Sequence, residues 1–310
     1  MSQGYIEEWV TYGDGPNKTS FYTRTYNVTS GQPKAHLVFI HGFVEHCGRY
    51  DRALSQWAAN GISAFTFDQR GYGRTATDKE NMSANSSYGK TSWKDQMQDI
   101  AFFITRERER IGSGVPMFLM GHSMGGGEVL GFATFWMAET KAALAHLSGI
   151  IASAPMIRQA TPAPSWKVWA GGKVATIFPN LHIGSSIVTK DLCHDPAIIQ
   201  AFERDPLIGP YSTIRAISDM LEGGTALAEE NYKKWPIGLP ILILHGDGDK
   251  ITSHIASKKF HDDIKANDKH HSIYAGAYHE VHNEPDGVGT RFVDECITWV
   301  ERHISSVHKL

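Results

Sequence analysis

The chain has 310 residues, with 30 Lys and Arg against 33 Asp and Glu, so its formal net charge is −3 when histidine is neutral. Hydrophobic residues make up 41% and charged residues 20%, an ordinary globular composition that excludes a disordered or fibrous chain. The near-neutral charge without a Lys/Arg cluster argues against nucleic-acid binding, and the apolar runs are too short to cross a bilayer.

The first predicted element is a β-hairpin. Tyr5–Val10 and Phe21–Tyr26 flank a turn signal at 13–17. Continuous apolar runs follow, and these are typical of strands buried on both faces. The further predicted strands are, in chain order, His36–Ile40, Ile62–Phe67, Met117–Met120, Gly149–Ala152, Ile241–Leu244 and the weaker His271–Tyr274.

Helical patterns separate these strands. Apolar residues recur every three or four positions from Trp93 to Ile104 and from Val288 to Ile304, which predicts amphipathic helices. The first helix runs into the charged segment Arg106–Arg110, for which we expect a solvated face. The alternation of strands and helices predicts an α/β fold with a mostly parallel sheet wrapped by helices.

One long segment, 156–235, interrupts this alternation. It is rich in proline and lacks a clear buried strand, and a long insertion between two sheet strands is usually functional. We predict a helical cap (lid) at 156–235, inserted into a core formed by 1–155 and 236–310. Within it, Ser165–Phe178 predicts either a helix buried against the sheet or a lid with an exposed apolar face, and Gly171-Gly172 weakens the prediction of a single helix.

The strongest chemical signal is Gly121-His-Ser123-Met-Gly125, which fits G-x-S-x-G. It follows a predicted strand and precedes the apolar helical stretch Glu128–Met137, which is the context of a nucleophile elbow. That turn is so tight that the residues two before and two after the serine must be small. The pattern predicts Ser123 as a nucleophile, with a helix N-terminus beneath it that favours negative charge.

A serine needs a base to take its proton, and on such a fold the acid and then the base follow the serine in the chain. Asp247 and Asp249 come directly after the next-to-last predicted strand, at the same sheet edge as Ser123. His279 and His282 come after the last predicted strand, and both qualify as the base. The residues alone leave both pairs open.

The negative charge that develops on the substrate carbonyl needs two backbone N–H donors. One should be that of Met124, directly after the nucleophile. The other should come from the loop after His36–Ile40, where Phe43 follows the pair His41-Gly42. We therefore predict the amides of Phe43 and Met124 as the oxyanion hole.

Other chemistries fit the sequence less well. Asp68–Gly73 contains GxG but no complete dinucleotide fingerprint, and no P-loop motif is present. No carboxylate or thiolate set accompanies His41 and His46 in the manner of a metal site. We expect neither a metal nor an organic cofactor.

The cysteines and the first residues bear on the compartment. Cys47, Cys193 and Cys296 cannot all pair, and none has the spacing of a CxxC or zinc site. Glu7 and Glu8 lie in the first ten residues, where no apolar segment typical of a secretory signal is visible. We expect free thiols in an intracellular, cytoplasmic protein.

With these residues in place, the chain resembles the monoacylglycerol lipases of the α/β-hydrolase superfamily, and in particular a fungal member. The G-x-S-x-G pattern is common to the whole superfamily, whereas the combination of HGxxEHxGRY with GAYHxxHxE is much more specific. The matching segments are His41–Tyr50, Phe67–Gly73, Gly121–Gly126, Asp205–Leu207, His245–Asp249 and Gly276–His282.

The resemblance implies the α/β-hydrolase fold and a catalytic triad of Ser123, Asp249 and His279. It also implies Phe43 and Met124 as the oxyanion donors. No metal or cofactor is implied.

The resemblance further implies a polar end of the pocket, near the glycerol moiety, lined by Glu45, Arg49 and His282. It implies that the cap at 156–235 meets a membrane or lipid-droplet surface with its apolar face and admits the acyl chain. The implied partners are thus a monoacylglycerol or related lipid ester and a lipid surface.

The hypothesis from the sequence is a serine hydrolase that cleaves monoacylglycerols to fatty acid and glycerol through an acyl-enzyme. A broader carboxylesterase, a lysophospholipase or an acyltransferase on the same triad is the alternative within enzymes, because fold and elbow are shared. A hydrolase-fold protein that only binds lipid is the alternative outside enzymes.

Overall fold

The computed structural model describes residues 4–15, 18–135, 137–185 and 187–307. Positions 16 and 17 of the predicted hairpin turn lie outside this part of the chain. The strands are β1 Ile6–Tyr12, β2 Thr19–Tyr26, β3 Ala35–Ile40, β4 Ile62–Phe67, β5 Met117–His122, β6 Leu147–Ser153, β7 His182–Gly184, β8 Tyr211–Thr213, β9 Ile241–Gly246 and β10 Lys269–Tyr274. The helices are α1 Asp51–Ala59, α2 Gly73–Thr77, α3 Trp93–Ile111, α4 Met124–Thr134, α5 Ala138–Leu144, α6 Ser165–Ile177, α7 Pro196–Arg204, α8 Ile214–Glu229, α9 His254–Asp263 and α10 Val288–Val307.

An eight-stranded sheet forms the centre of the molecule, in the order β1-β2-β4-β3-β5-β6-β9-β10. The hairpin β1–β2 is antiparallel and β2 joins β4 in an antiparallel pairing, whereas the remaining neighbours in this sheet, from β4 through β3, β5, β6 and β9 to β10, pair in parallel. This arrangement confirms the predicted α/β-hydrolase architecture. Because parallel strands carry their following loops at one edge, the loops after β3, β5, β9 and β10 lie together there.

Helices cover both faces of the sheet, and each face has its own apolar core. On one face, Phe103 of α3, Leu130 of α4 and Leu227 of α8 pack against the strands. On the other, Trp57 of α1 and Trp299 of α10 do so. Strands buried on both faces need apolar residues at every position, which is why they appear in the sequence as continuous apolar runs.

The charged end of α3 departs from the prediction of a solvated face at Glu107, whereas Glu109 and Arg110 are exposed. Glu107 is fully buried, lies 3.1 Å from the ring of His36 and bonds to Arg106 and Arg110. Burial by itself would raise the pKa of Glu107, but His36 and Arg110 outweigh it and lower the pKa. The helical repeat explains the error, since Glu107 lies four residues after Phe103 and continues the buried stripe of the helix.

The segment between β6 and β9 contains α6, the short antiparallel pair β7–β8, α7 and α8. α6 runs as a single helix through Gly171 and Gly172, and a Cβ at Gly172 would lie 3.0 Å from Glu222 of α8. Leu227 of α8 and Trp235 join the main core, so the end of this segment packs against the helices that cover the sheet. The boundaries 156–235 of the cap stay a prediction.

The three cysteines are free thiols, as expected, and all three are buried. Within the described ranges, no helix combines the length and the apolar character needed to cross a membrane.

Candidate active site

Ser123 lies on a sharp turn between β5 and α4. Its backbone has φ 56° and ψ −116°, a conformation that costs energy in a residue with a side chain. A Cβ at Gly121 would lie 2.1 Å from the carbonyl oxygen of Gly125, and a Cβ at Gly125 would lie 2.3 Å from that of Ile40. The glycines two before and two after the serine are therefore required by sterics, as predicted from the spacing.

The loop after β3 approaches Ser123 directly. A Cβ at Gly42 would lie 3.2 Å from the Cβ of Ser123, and the Gly42 amide donates to the carboxylate of Glu45, which fixes the loop. In the part of the chain that the structure describes, the amides of Phe43 and Met124 have no hydrogen-bond acceptor. Two unengaged donors next to a serine are the requirement for an oxyanion hole.

Asp249 lies at the start of the loop after β9 and is buried. Its Oδ2 accepts a hydrogen bond from Nδ1 of His279 at 2.7 Å and lies 3.0 Å from Nε2 of His245 and 2.8 Å from Oγ1 of Thr252. Its Oδ1 accepts from the amides of Ile251 at 2.7 Å and Thr252 at 3.0 Å. Burial would raise the pKa of Asp249, but His279 and the other donors outweigh it and hold the pKa well below its ordinary value.

Asp247, the other acid that the sequence left open, is exposed. Its Oδ1 accepts from the Gly276 amide at 2.6 Å, so it connects the loops after β9 and β10. The structure brings Asp249, and not Asp247, to His279.

His279 is buried and lines the same cavity as Ser123. Burial disfavours its charged form, but the ionised Asp249 and its hydrogen bond outweigh burial and raise the pKa of His279 above 6.5. A base that is held by a carboxylate through Nδ1 leaves Nε2 for the proton of the nucleophile.

His282, the other candidate base, is also buried but is placed differently. Its ring stacks on Tyr50 with centroids 5.0 Å apart and lies at the same distance from His122. As far as the described residues go, it does not line the cavity that holds Ser123; it lines a small neighbouring void with Tyr50 and His122. Burial lowers the pKa of His282 to about 4 and that of His122 well below its usual range, so both rings are neutral at pH 7.

A cluster of charged side chains forms one end of the cavity. Arg49 donates to Glu45 and makes a bidentate pair with Glu280 at 2.7 and 2.9 Å, and its guanidinium lies 4.7 Å from the ring centre of Phe202. Glu45 and Arg49 were predicted at this place. Glu280 was not predicted there. The signal in the sequence that could have indicated it is its position directly after the candidate base His279.

The cavity that contains Ser123 has a volume of about 420 Å³. The charged side chains of Glu45, Arg49 and Glu280 line it, and further polar residues such as Gln159, Asp191 and Lys250 do so as well. The segment between β6 and β9 contributes apolar side chains, among them Ile183, Ile187, Val188, Ile217, Met220 and Leu221. Such a cavity suits a molecule with one apolar chain and one small polar group.

An apolar surface lies on α6, next to the residues that line the cavity. Trp166, Trp169 and Ile177 are 67%, 68% and 69% exposed, and Phe178 and Leu181 continue this surface. Gln159, Thr161 and Ala163, directly before α6, line the cavity. The helix is thus not buried against the sheet. Of the two predicted alternatives for Ser165–Phe178, the structure has the one with an exposed apolar face. Among the described residues, no group of three or more His, Cys, Asp or Glu side chains could hold a metal ion.

Comparisons with known proteins agree on one family. Residues 31–286 match the family model described as "Serine aminopeptidase, S33". A Schizosaccharomyces pombe protein named "Putative monoglyceride lipase" is 31% identical over 91% of this chain and 71% of its own length. The monoglyceride lipase of Saccharomyces cerevisiae is 29% identical over 90% of this chain and 88% of its own length. The crystal structure of a soluble variant of the Saccharomyces cerevisiae enzyme, in complex with a substrate analog, matches with a TM-score of 0.82 at 27% identity and covers 96% of each chain.

Proposed function

The chain belongs to the hydrolase family described as serine aminopeptidase S33 and, within it, to the monoglyceride lipases, and from this premise we propose that Ser123, Asp249 and His279 hydrolyse monoacylglycerols. The products are a free fatty acid and glycerol. The observation that carries the proposal is the single cavity with an apolar part for one acyl chain and a charged end for the alcohol, with Ser123 and His279 in its wall.

The proposed reaction gives each of these residues one role. The hydroxyl of Ser123 attacks the ester carbonyl, and Nε2 of His279 takes its proton. The amides of Phe43 and Met124 stabilise the charge on the carbonyl oxygen. His279 then gives the proton to the departing glycerol oxygen, and Asp249 stabilises the imidazolium without taking the proton itself. Water repeats the sequence on the acyl-enzyme and releases the fatty acid.

The alcohol of the substrate is proposed to lie against Glu45 and Arg49. A direct contact between the alcohol and His282 stays a prediction, since His282 packs behind Tyr50 and His122.

Product analysis with a substrate panel tests the proposed function. We expect 1-oleoylglycerol to be hydrolysed at least about tenfold faster, in kcat/KM, than dioleoylglycerol or trioleoylglycerol, because a second acyl chain would bury the charged groups of the polar end without hydrogen bonds. A lysophospholipid, a short-chain ester and a leucine anilide complete the panel. Faster cleavage of the triacylglycerol or of the anilide would contradict the assignment.

We further propose that the apolar surface of α6 docks on a membrane or lipid-droplet surface. Its large side chains follow Gln159, Thr161 and Ala163 in the chain, and these three residues line the cavity. A monoacylglycerol is an amphiphile that resides in such surfaces. Tryptophan is the residue that favours the interface between lipid and water. Docking there would place the mouth of the cavity at the substrate's own position.

The double variant Trp166→Ser/Trp169→Ser is expected to weaken binding to phosphatidylcholine vesicles by about a hundredfold or more, since each buried tryptophan contributes on the order of 1.5 kcal/mol or more. Co-sedimentation with vesicles measures this. Hydrolysis of a water-soluble short-chain ester should stay near the wild-type rate. Ile255→Ser is the matched control, because Ile255 is 70% exposed but lies on α9 of the core. Equal loss of binding in the control would contradict a specific role of α6.

A further inference from the structure

The alcohol end of the cavity has two carboxylates around one cation. Arg49 pairs with both Glu45 and Glu280, and both carboxylates line the cavity. Glu280 is held in place from three sides: by Arg49, by Nδ2 of Asn283 at 2.8 Å and by its own amide, which donates to the carbonyl of Leu192 at 2.7 Å. Glu280 is thus a buried carboxylate in the wall of the cavity, with hydrogen bonds to both its side chain and its backbone.

The hydrogen bonds at this end leave acceptor positions on both carboxylates for a ligand. A carboxylate offers about four acceptor positions. Glu45 accepts from the Gly42 amide, the Tyr50 hydroxyl and Arg49, and Glu280 accepts twice from Arg49 and once from Asn283. About one acceptor position remains on each carboxylate. An alcohol that carries two free hydroxyl groups can donate to both.

The charges of this end sum to one negative charge. Burial would raise the pKa of Glu280, but Arg49 outweighs it and lowers the pKa to about 2, so the group is ionised. His122 and His282, which pack beside the cluster, are neutral at pH 7. Lys250, which also lines the cavity, lies 3.6 Å from Asp191 and is balanced by it.

We propose that Glu280, together with Glu45, makes the alcohol end select neutral or cationic alcohols and reject phosphate esters. This inference rests on the proposed function and adds a substrate class to it. A phosphate dianion has acceptors only, so it cannot donate to the acceptor positions on Glu45 and Glu280, and it is repelled by the uncompensated carboxylate. A polyol donates to the carboxylates, and a quaternary ammonium is attracted to them.

Three oleoyl esters that differ in the charge of the alcohol test this proposal. They are 1-oleoylglycerol, oleoylcholine and 1-oleoylglycerol 3-phosphate, each presented in the same neutral detergent micelles, with release of oleate as the measured quantity. For the wild-type protein we expect the phosphate ester to have a kcat/KM at least about a hundredfold below that of 1-oleoylglycerol, because a phosphate anion would lie against a buried carboxylate.

Glu280→Gln removes one negative charge and keeps the shape of the side chain. We expect it to raise the ratio of kcat/KM for the phosphate ester to that for 1-oleoylglycerol by about tenfold or more, and to lower the ratio for oleoylcholine. The ratio is the readout because the charge of Glu280 also acts on His279, which serves all three esters equally. Glu280→Leu, which leaves Arg49 paired with Glu45, is a second variant, and Glu229→Gln, exposed and paired with Arg158 outside the cavity, is the control.

Each outcome decides the matter. Selection by charge would be overturned if the wild type used 1-oleoylglycerol and the phosphate ester equally well. It would also be overturned if both Glu280 variants had the same kcat/KM ratios as the control Glu229→Gln. Hydrolysis of none of the esters, 1-oleoylglycerol included, would instead overturn the proposed function on which this inference rests.

Discussion

Replacing Ser123 with alanine is expected to reduce kcat for 1-oleoylglycerol by at least about 10⁴-fold, since loss of the nucleophile leaves only the oxyanion donors and binding. The cavity and the oxyanion loop should persist, because the side chain of Ser123 is small and the turn is set by Gly121 and Gly125. KM should therefore change little. The rate at which the purified protein releases oleate from 1-oleoylglycerol, followed by titration of the acid, measures the effect.

Ser185 supplies the matched control for this experiment, because it lines the same cavity. Ser185→Ala should retain hydrolysis, and a serine-directed fluorophosphonate should label it as it labels the wild type. The same reagent should not label Ser123→Ala. Near-normal hydrolysis by Ser123→Ala would show that the acyl group is not carried on this residue and would remove the basis of the mechanism.

The elbow could be predicted from the sequence because its glycines have a fixed spacing around the serine. Gly121 is needed because a Cβ there would meet Gly125, four residues later, whereas Gly125 is needed because it approaches the carbonyl oxygen of Ile40 in β3. The strands were predicted for a similar reason, since burial on both faces leaves a continuous apolar run. The ends of the elements were predicted less accurately. The helical stretch predicted to reach Met137 ends at Thr134, and a separate helix begins at Ala138.

The surroundings of the acid could not be predicted, because they depend on contacts between distant segments. Nothing in the spacing of Asp247 and Asp249 distinguishes them; the resemblance did. The second imidazole at Asp249, that of His245, comes from the end of β9, and a histidine within a strand is indistinguishable from a structural one in the sequence. Burial likewise hid the roles of Glu107 and Glu280, since a charged residue in a polar segment predicts exposure.

Contacts between distant segments also explain why the sequence left the placement of His282 and of α6 open. Two histidines three residues apart in one loop qualify equally by chemistry, and only the three-dimensional packing directs His279 to Asp249 and His282 to Tyr50. For α6, the sequence left open a buried helix and an exposed apolar face. An apolar helix is normally buried, so the choice requires the positions of the neighbouring elements.

Asp249→Asn is expected to reduce kcat by about 10⁴-fold, for a reason that the hydrogen bonds supply. Oδ1 of Asp249 accepts from two backbone amides, and Oδ2 faces His279, His245 and Thr252. An asparagine that keeps its oxygen toward the amides must turn its NH₂ group toward Nδ1 of His279. The imidazole then has to accept at Nδ1 and carry its proton on Nε2, where it cannot take the proton of Ser123.

This substitution also has a pH signature. The pKa of His279 is raised above 6.5 in the native site because Asp249 outweighs the effect of burial, so kcat/KM of the wild type should fall as the pH is lowered through that raised value. Without the carboxylate, burial dominates and the pKa of His279 falls. The residual activity of Asp249→Asn should therefore lose its acid limb at a lower pH than the wild type. Asp247→Asn, two residues away and exposed, keeps an acceptor for the Gly276 amide and should leave both kcat and the acid limb close to wild type. If Asp247→Asn were the variant that lost activity while Asp249→Asn kept it, the acid would be Asp247, and the pairing of Asp249 with His279 would have to be structural.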